Sequence, residues 1–168
     1  EELERLTGAT VWLETDLAAA ARLPAISSNE LVFVDPTVLN YQELVAELLN
    51  QKSMEVVLLD PNTDGIGQIA NALEGKADLT AIHLISHGSA GSLQLGTATL
   101  NAESMQHQYF AALSQIGSAL SAEGDLLIYG CNFTSDAAGL QAAIILGGIT
   151  GADIAASEDM TGHTSYGG

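Results

Sequence analysis

Ala81-Ile82-His83-Leu84-Ile85-Ser86-His87-Gly88 is a short apolar run that ends in histidine and glycine, and Asp125-Leu126-Leu127-Ile128-Tyr129-Gly130-Cys131-Asn132 is a second such run that ends in glycine and cysteine. Runs this short and this continuously apolar read as strands buried on both faces, as in parallel sheets. Working outward, Glu30 to Asp35, Glu55 to Asp60 and Ala152 to Ala156 have the same character. Helical patterns separate them. Tyr41 to Gln51 places Leu44, Val45, Leu48 and Leu49 on one face, and Gly65 to Leu73 ends near Gly75. Ala102 to Leu120 reads as one long helix with Asn101 as N-cap, and an Ala, Leu and Ile helix runs to Ile149. Gly88 to Thr99, rich in Gly, Ser and Thr, reads as a small hairpin outside the sheet. The alternation predicts an α/β fold of three layers: a mostly parallel sheet of about five to six strands with helices on both faces. Residues 30–168 form this domain, and 1–29 an N-terminal extension.

In such sheets sites form beyond the C-terminal ends of the strands, here after Asp35, Asp60, Ser86, Tyr129 and Ala156. His87 and Cys131 thus emerge at one sheet edge, from strands joined by one crossover. That is the geometry of a dyad, in which a thiolate is the nucleophile and an imidazole its proton partner. The competing reading is a buried structural cysteine and a turn histidine.

Four Lys and Arg against 21 Asp and Glu give a formal charge of −17, which repels phosphate backbones and anionic membranes. Nucleic acid and direct membrane insertion are therefore not expected, and no apolar run approaches the roughly 18 residues of a membrane span. The expected partners are a peptide or protein substrate, or neighbouring copies of the domain. An acidic, lysine-poor surface suits an extracellular or cell-surface setting. The start, Glu1-Glu2-Leu3-Glu4-Arg5, lacks the basic and apolar character of a signal peptide, so any export signal is expected outside this chain. The single cysteine excludes an internal disulfide.

The His-Gly and Gly-Cys blocks resemble clan CD cysteine peptidases, the caspase, gingipain and separase group. Val56-Val-Leu-Leu-Asp-Pro-Asn62, Ile85-Ser-His-Gly-Ser-Ala-Gly-Ser-Leu93 and Tyr129-Gly-Cys-Asn132 look closest to a bacterial domain family of unknown function found in large, often repeat-rich or adhesin-like surface proteins. The resemblance covers about residues 30 to 168 and implies a caspase-like fold with His87 and Cys131 as the catalytic pair. It also implies the N–H groups of Gly88 and Cys131 as oxyanion donors. Two departures matter: caspases carry Ala, not Gly, before the cysteine, and their arginine-rich pocket has no counterpart among four basic residues. Basic or neutral P1 residues are expected instead, with Asp153, Glu158 and Asp159 as candidates to meet them.

Asp60-Pro-Asn62-Thr-Asp64-Gly65 matches the first half of a calcium-binding loop, but its twelfth position is Asn71 rather than a bidentate glutamate. An Asx turn with Asp64 capping a helix is the favoured reading; no cofactor is expected, with calcium at Asp60, Asn62 and Asp64 as the weak alternative. His83 and His87, four apart on a strand, are about 13 Å from each other and cannot share a metal. Leu6 to Leu17 also aligns without gaps with Ile149 to Met160, sharing Thr-Gly-Ala and a later Asp. This echo reads either as a generic helix-Gly-strand turn or as the tail of a preceding copy of the domain. Two functions fit these features: a cysteine endopeptidase or self-processing domain of a large surface protein, or a non-catalytic structural repeat of an extracellular fibre or adhesin.

Overall fold

The computed structural model describes residues 11–13, 29–50, 54–130 and 132–156. In chain order its elements are β1 (Val11–Leu13), β2 (Glu30–Val34), α1 (Tyr41–Leu49), β3 (Met54–Leu58), α2 (Gly65–Ala72), β4 (Leu79–Ser89), β5 (Ser92–Leu95), β6 (Ala98–Asn101), α3 (Ala102–Gln106), α4 (Phe110–Ala119), β7 (Leu120–Gly130), α5 (Ala137–Thr150) and β8 (Asp153–Ala156). The sheet has eight strands. Its parallel part runs β1-β3-β2-β4-β7-β8, and β5 and β6 extend β4 as an antiparallel ribbon.

Alternate residues of each central strand feed two separate cores, which is why the strands read as unbroken apolar runs. Leu31, Phe33, Val57, Ile82, Leu84, Leu126 and Ile128 face one side, where Ile66 and Ile69 of α2, Met105 of α3, Leu113 and Ile116 of α4 and Leu146 of α5 cover them. Val32, Val34, Val56, Leu58 and Ile85 face the other side and pack on Val45 and Leu49 of α1. Helices on both faces of a mostly parallel sheet are the three-layer α/β architecture expected from the alternation.

Three features differ from the sequence-based expectation. The long helix is two, α3 and α4, because the chain leaves helical geometry at His107 and the Tyr109 N–H bonds the Ser104 carbonyl at 2.8 Å, a wider turn than an α-helix allows. Its start is as expected: Asn101 caps α3 in a reciprocal capping box with Ser104. Strands β4 and β7 are each longer than their apolar runs. Backbone pairing continues where hydrophobicity stops, through His87–Ser89 into the ribbon and back to Leu120 at the start of β7. Lastly, Val11–Leu13 of the N-terminal extension joins the sheet beside β3.

Helices α4 and α5 approach at a glycine. A Cβ on Gly117 would lie 2.7 Å from Thr150 Cα and overlap the Thr150 carbonyl oxygen. Backbone cannot yield as a side-chain tip does, so Gly117→Ala is expected to lower stability by about 1–3 kcal/mol. Urea unfolding should show an earlier midpoint at unchanged slope; a midpoint equal to wild type would mean that the helices separate without cost.

Candidate active site

The site is built where β4 outruns the parallel sheet. Ser86 is the last β4 residue in register with β7, opposite Gly130, and His87 and Gly88 are the next two, already paired with Gln94 and Leu93 of the ribbon. His87 is exposed and Gly88 half-buried. The two sequence blocks therefore end side by side. A Cβ built on Gly130 would stand 3.5 Å from Gly88 Cα and 3.8 Å from Gly88 N, and would overlap Cδ2 of Leu93, a side chain with 0% exposure. A side chain at position 130 would therefore have to displace the buried tip of Leu93.

The His87 ring is held from the neighbouring strand. Its Nε2 lies 2.8 Å from the backbone carbonyl of Thr37, in the loop after β2. A carbonyl oxygen only accepts, so Nε2 must carry the proton. In the neutral ring this leaves Nδ1 with the lone pair, and that nitrogen is available as a base. Nothing in sequence marks Thr37, because a backbone carbonyl carries no residue identity.

The chain after Gly130 turns at once. The Phe133 N–H bonds the Gly130 carbonyl at 3.3 Å, Asn132 adopts a left-handed φ of 56°, and the Ser135 N–H bonds the Asn132 carbonyl at 3.2 Å. Phe133 is fully buried, and its carbonyl accepts from Gly91 N–H in the β4–β5 turn at 2.9 Å. Asp136 then caps α5 through Gly139 N–H at 2.9 Å. The turn is thereby tied to the ribbon that carries His87 and Gly88. Cys131, Glu158 and Asp159 lie outside the described residues.

Asp153 is not brought to this edge. It pairs with Asp125 at the start of β8, and Gly130 lies five residues farther along β7, roughly 17 Å away. Parallel strands start at one end of the sheet and finish at the other, and Asp153 is at the starting end.

The Asp60–Gly65 segment is an Asx turn and a helix cap. Asp60 Oδ1 accepts from Asn62 N–H at 2.9 Å, and Asp64 Oδ1 accepts from Ile66 N–H at 3.0 Å and Gly67 N–H at 3.3 Å. Gln68 closes the loop, donating to the Asp60 carbonyl at 3.0 Å and to Thr63 Oγ1 at 2.7 Å. Among the described residues no group of three or more His, Cys, Asp or Glu could hold a metal ion.

His83, buried, has Nε2 3.2 Å from Glu30 Oε2 and Nδ1 3.4 Å from the Tyr129 hydroxyl, and its ring stacks on that of Tyr129. The Tyr129 hydroxyl is held above its ordinary pKa, first by burial and then by the Glu30 charge. It is a satisfied polar cluster in mid-sheet, away from His87. Among the described residues no helix is long and apolar enough to cross a membrane.

No curated protein matches the chain. The family model described as "Domain of unknown function (DUF4347)" matches residues 31–168, so the domain delimited here by strands β2 to β8 belongs to that family.

Proposed function

We propose that the domain is a caspase-like cysteine endopeptidase or self-processing domain of the clan CD type, carried by a large secreted or cell-surface protein. The observation that supports it is the convergence of His87-Gly88 and Gly130 at one sheet edge, with the His87 ring fixed through Nε2 and its other nitrogen left as a base. Cys131 comes directly after Gly130 in the chain.

In this reading the Cys131 thiolate attacks the carbonyl carbon of a peptide bond, forming a C–S bond and an oxyanion that the N–H groups of Gly88 and Cys131 receive. Protonated His87 gives its proton to the leaving amine as the C–N bond breaks. Water then attacks the thioester while His87 takes up its proton, and the thiolate leaves from the released acid. With a charge of −17, the surface favours basic or neutral residues beside the scissile bond.

The lone cysteine makes the test clean, because any alkylation reports on Cys131. Iodoacetamide is expected to react fast near pH 6.5, and His87→Ala should slow it about tenfold or more, as a one-unit rise in thiol pKa would do. Alongside, Cys131→Ala should abolish labelling by an electrophilic peptide probe and any cleavage of the flanking chain. Wild-type alkylation like that of a free thiol, with processing unaffected by Cys131→Ala, would exclude the peptidase reading.

A second reading, a structural repeat of a fibre or adhesin, is favoured by one observation. The echo segments 6–17 and 149–160 supply the two outermost parallel strands, Val11–Leu13 aligning with Ile154–Ala156, one at each end of the sheet. A tandem array gives these strands equivalent origins in successive units. The parent polypeptide is then expected to repeat the His-Gly and Gly-Cys blocks next to this segment. Flanking sequence that lacks both blocks on either side removes the tandem reading, and copies that recur without the cysteine would favour structure over catalysis.

A further inference from the structure

Asp35 is the one carboxylate in the described residues with 0% exposure, and neither the dyad nor the core makes use of its charge. It directly follows β2, the strand beside the one that carries His87, with its own N–H on the Ile85 carbonyl at 2.9 Å. Both of its oxygens are hydrogen-bonded. Oδ1 accepts from the Thr37 N–H at 2.9 Å and the Thr37 hydroxyl at 2.6 Å, and Oδ2 accepts from the Gly96 N–H at 2.7 Å.

These bonds run to the two pieces of chain on which His87 depends. Thr37 supplies the carbonyl that receives the imidazole Nε2–H at 2.8 Å. Gly96 is in the turn of the β5–β6 ribbon, and β5 pairs with His87 itself through Gln94. Gly96 is also wedged against the β3–α2 loop, where a Cβ would overlap the Thr63 carbonyl oxygen, and Thr97 N–H bonds that carbonyl at 2.8 Å. A buried carboxylate is costly unless hydrogen-bonded, and three donors from two loops offset that cost only when both loops are in place. The carboxylate therefore locks the two loops together around the histidine.

We propose that Asp35 is the positioning residue of His87: by fixing Thr37 it places the carbonyl that sets the ring's tautomer and orientation. The inference rests on the dyad reading for its catalytic meaning, whereas the ring geometry can be observed without any activity.

Asp35→Asn is the test, because it keeps the shape and replaces one acceptor oxygen by an NH2 group that meets an N–H donor head on. The full chain, labelled with 15N, is examined by NMR, with the His87 signals assigned through His87→Gln. Wild-type His87 should show a single Nε2–H tautomer and nuclear Overhauser contacts from the ring to Thr37. Folded Asp35→Asn should lose those contacts, and Cys131 alkylation at pH 6.5 should slow about tenfold. A folded Asp35→Asn chain whose His87 contacts and nitrogen shifts superimpose on wild type overturns the inference. Should Asp35→Asn not fold, Thr37→Val removes only the hydroxyl donor and keeps the carbonyl; weakened ring contacts support the proposal, and unchanged ones overturn it. The arms separate the two readings. Ring contacts that depend on Asp35 beside a wild-type thiol of ordinary reactivity uphold the positioning role and sink the peptidase. An activated thiol with ring contacts indifferent to Asp35 does the reverse.

Discussion

The structure depends on the parallel pairing of β4 with β7, in the register that sets Ser86 opposite Gly130. In this pair the even-numbered residues Ile82, Leu84, Leu126 and Ile128 lie in the larger core. Because side chains alternate with a period of two, a one-residue slip of β7 against β4 would turn Leu126 and Ile128 out of that core. The same register brings the end of the His-Gly block to the level of Gly130. Fold and candidate site are consequences of one constraint, and the packing that stabilises the first also positions the second.

Much of this was legible in the sequence, for a physical reason. Strands buried on both faces give continuous apolar runs, and the helices between them carry apolar faces and caps such as Asn101 and Asp64. Those signals are local. What was not legible is carried by the backbone: the extension of β4 into the ribbon and of β7 back to Leu120, the wide turn at His107–Tyr109, and above all the Thr37 carbonyl. Asp35 stood out only as the end of a strand, since its partners Thr37 and Gly96 include one more than sixty positions away along the chain. Asp153, one of the residues offered for a P1 pocket, illustrates the opposite case. Proximity in sequence to a strand said nothing of which end of that strand Asp153 occupies.

Two other polar groups sharpen the distinction between satisfied and poised. Buried His83 has a partner at each ring nitrogen, Glu30 and Tyr129, so it has no free lone pair to offer. His87, farther along the same strand, is exposed and meets the protein through Nε2. Identical side chains four residues apart on one strand thus differ in what chemistry they can do, and the difference lies wholly in their surroundings.

The stability argument points the same way. A hydrogen bond from an exposed imidazole to a backbone carbonyl contributes roughly 1 kcal/mol at most, so the fold has little use for the His87–Thr37 bond as such. Yet the loop that presents this carbonyl is fixed by a fully buried carboxylate with three hydrogen bonds, a group whose loss of one partner costs about 1–3 kcal/mol. A weakly stabilising contact is thus held by a strongly constrained scaffold, which the proposed positioning role of Asp35 would explain. The fully buried Leu93 fills the space beside Gly130 that a side chain there would need.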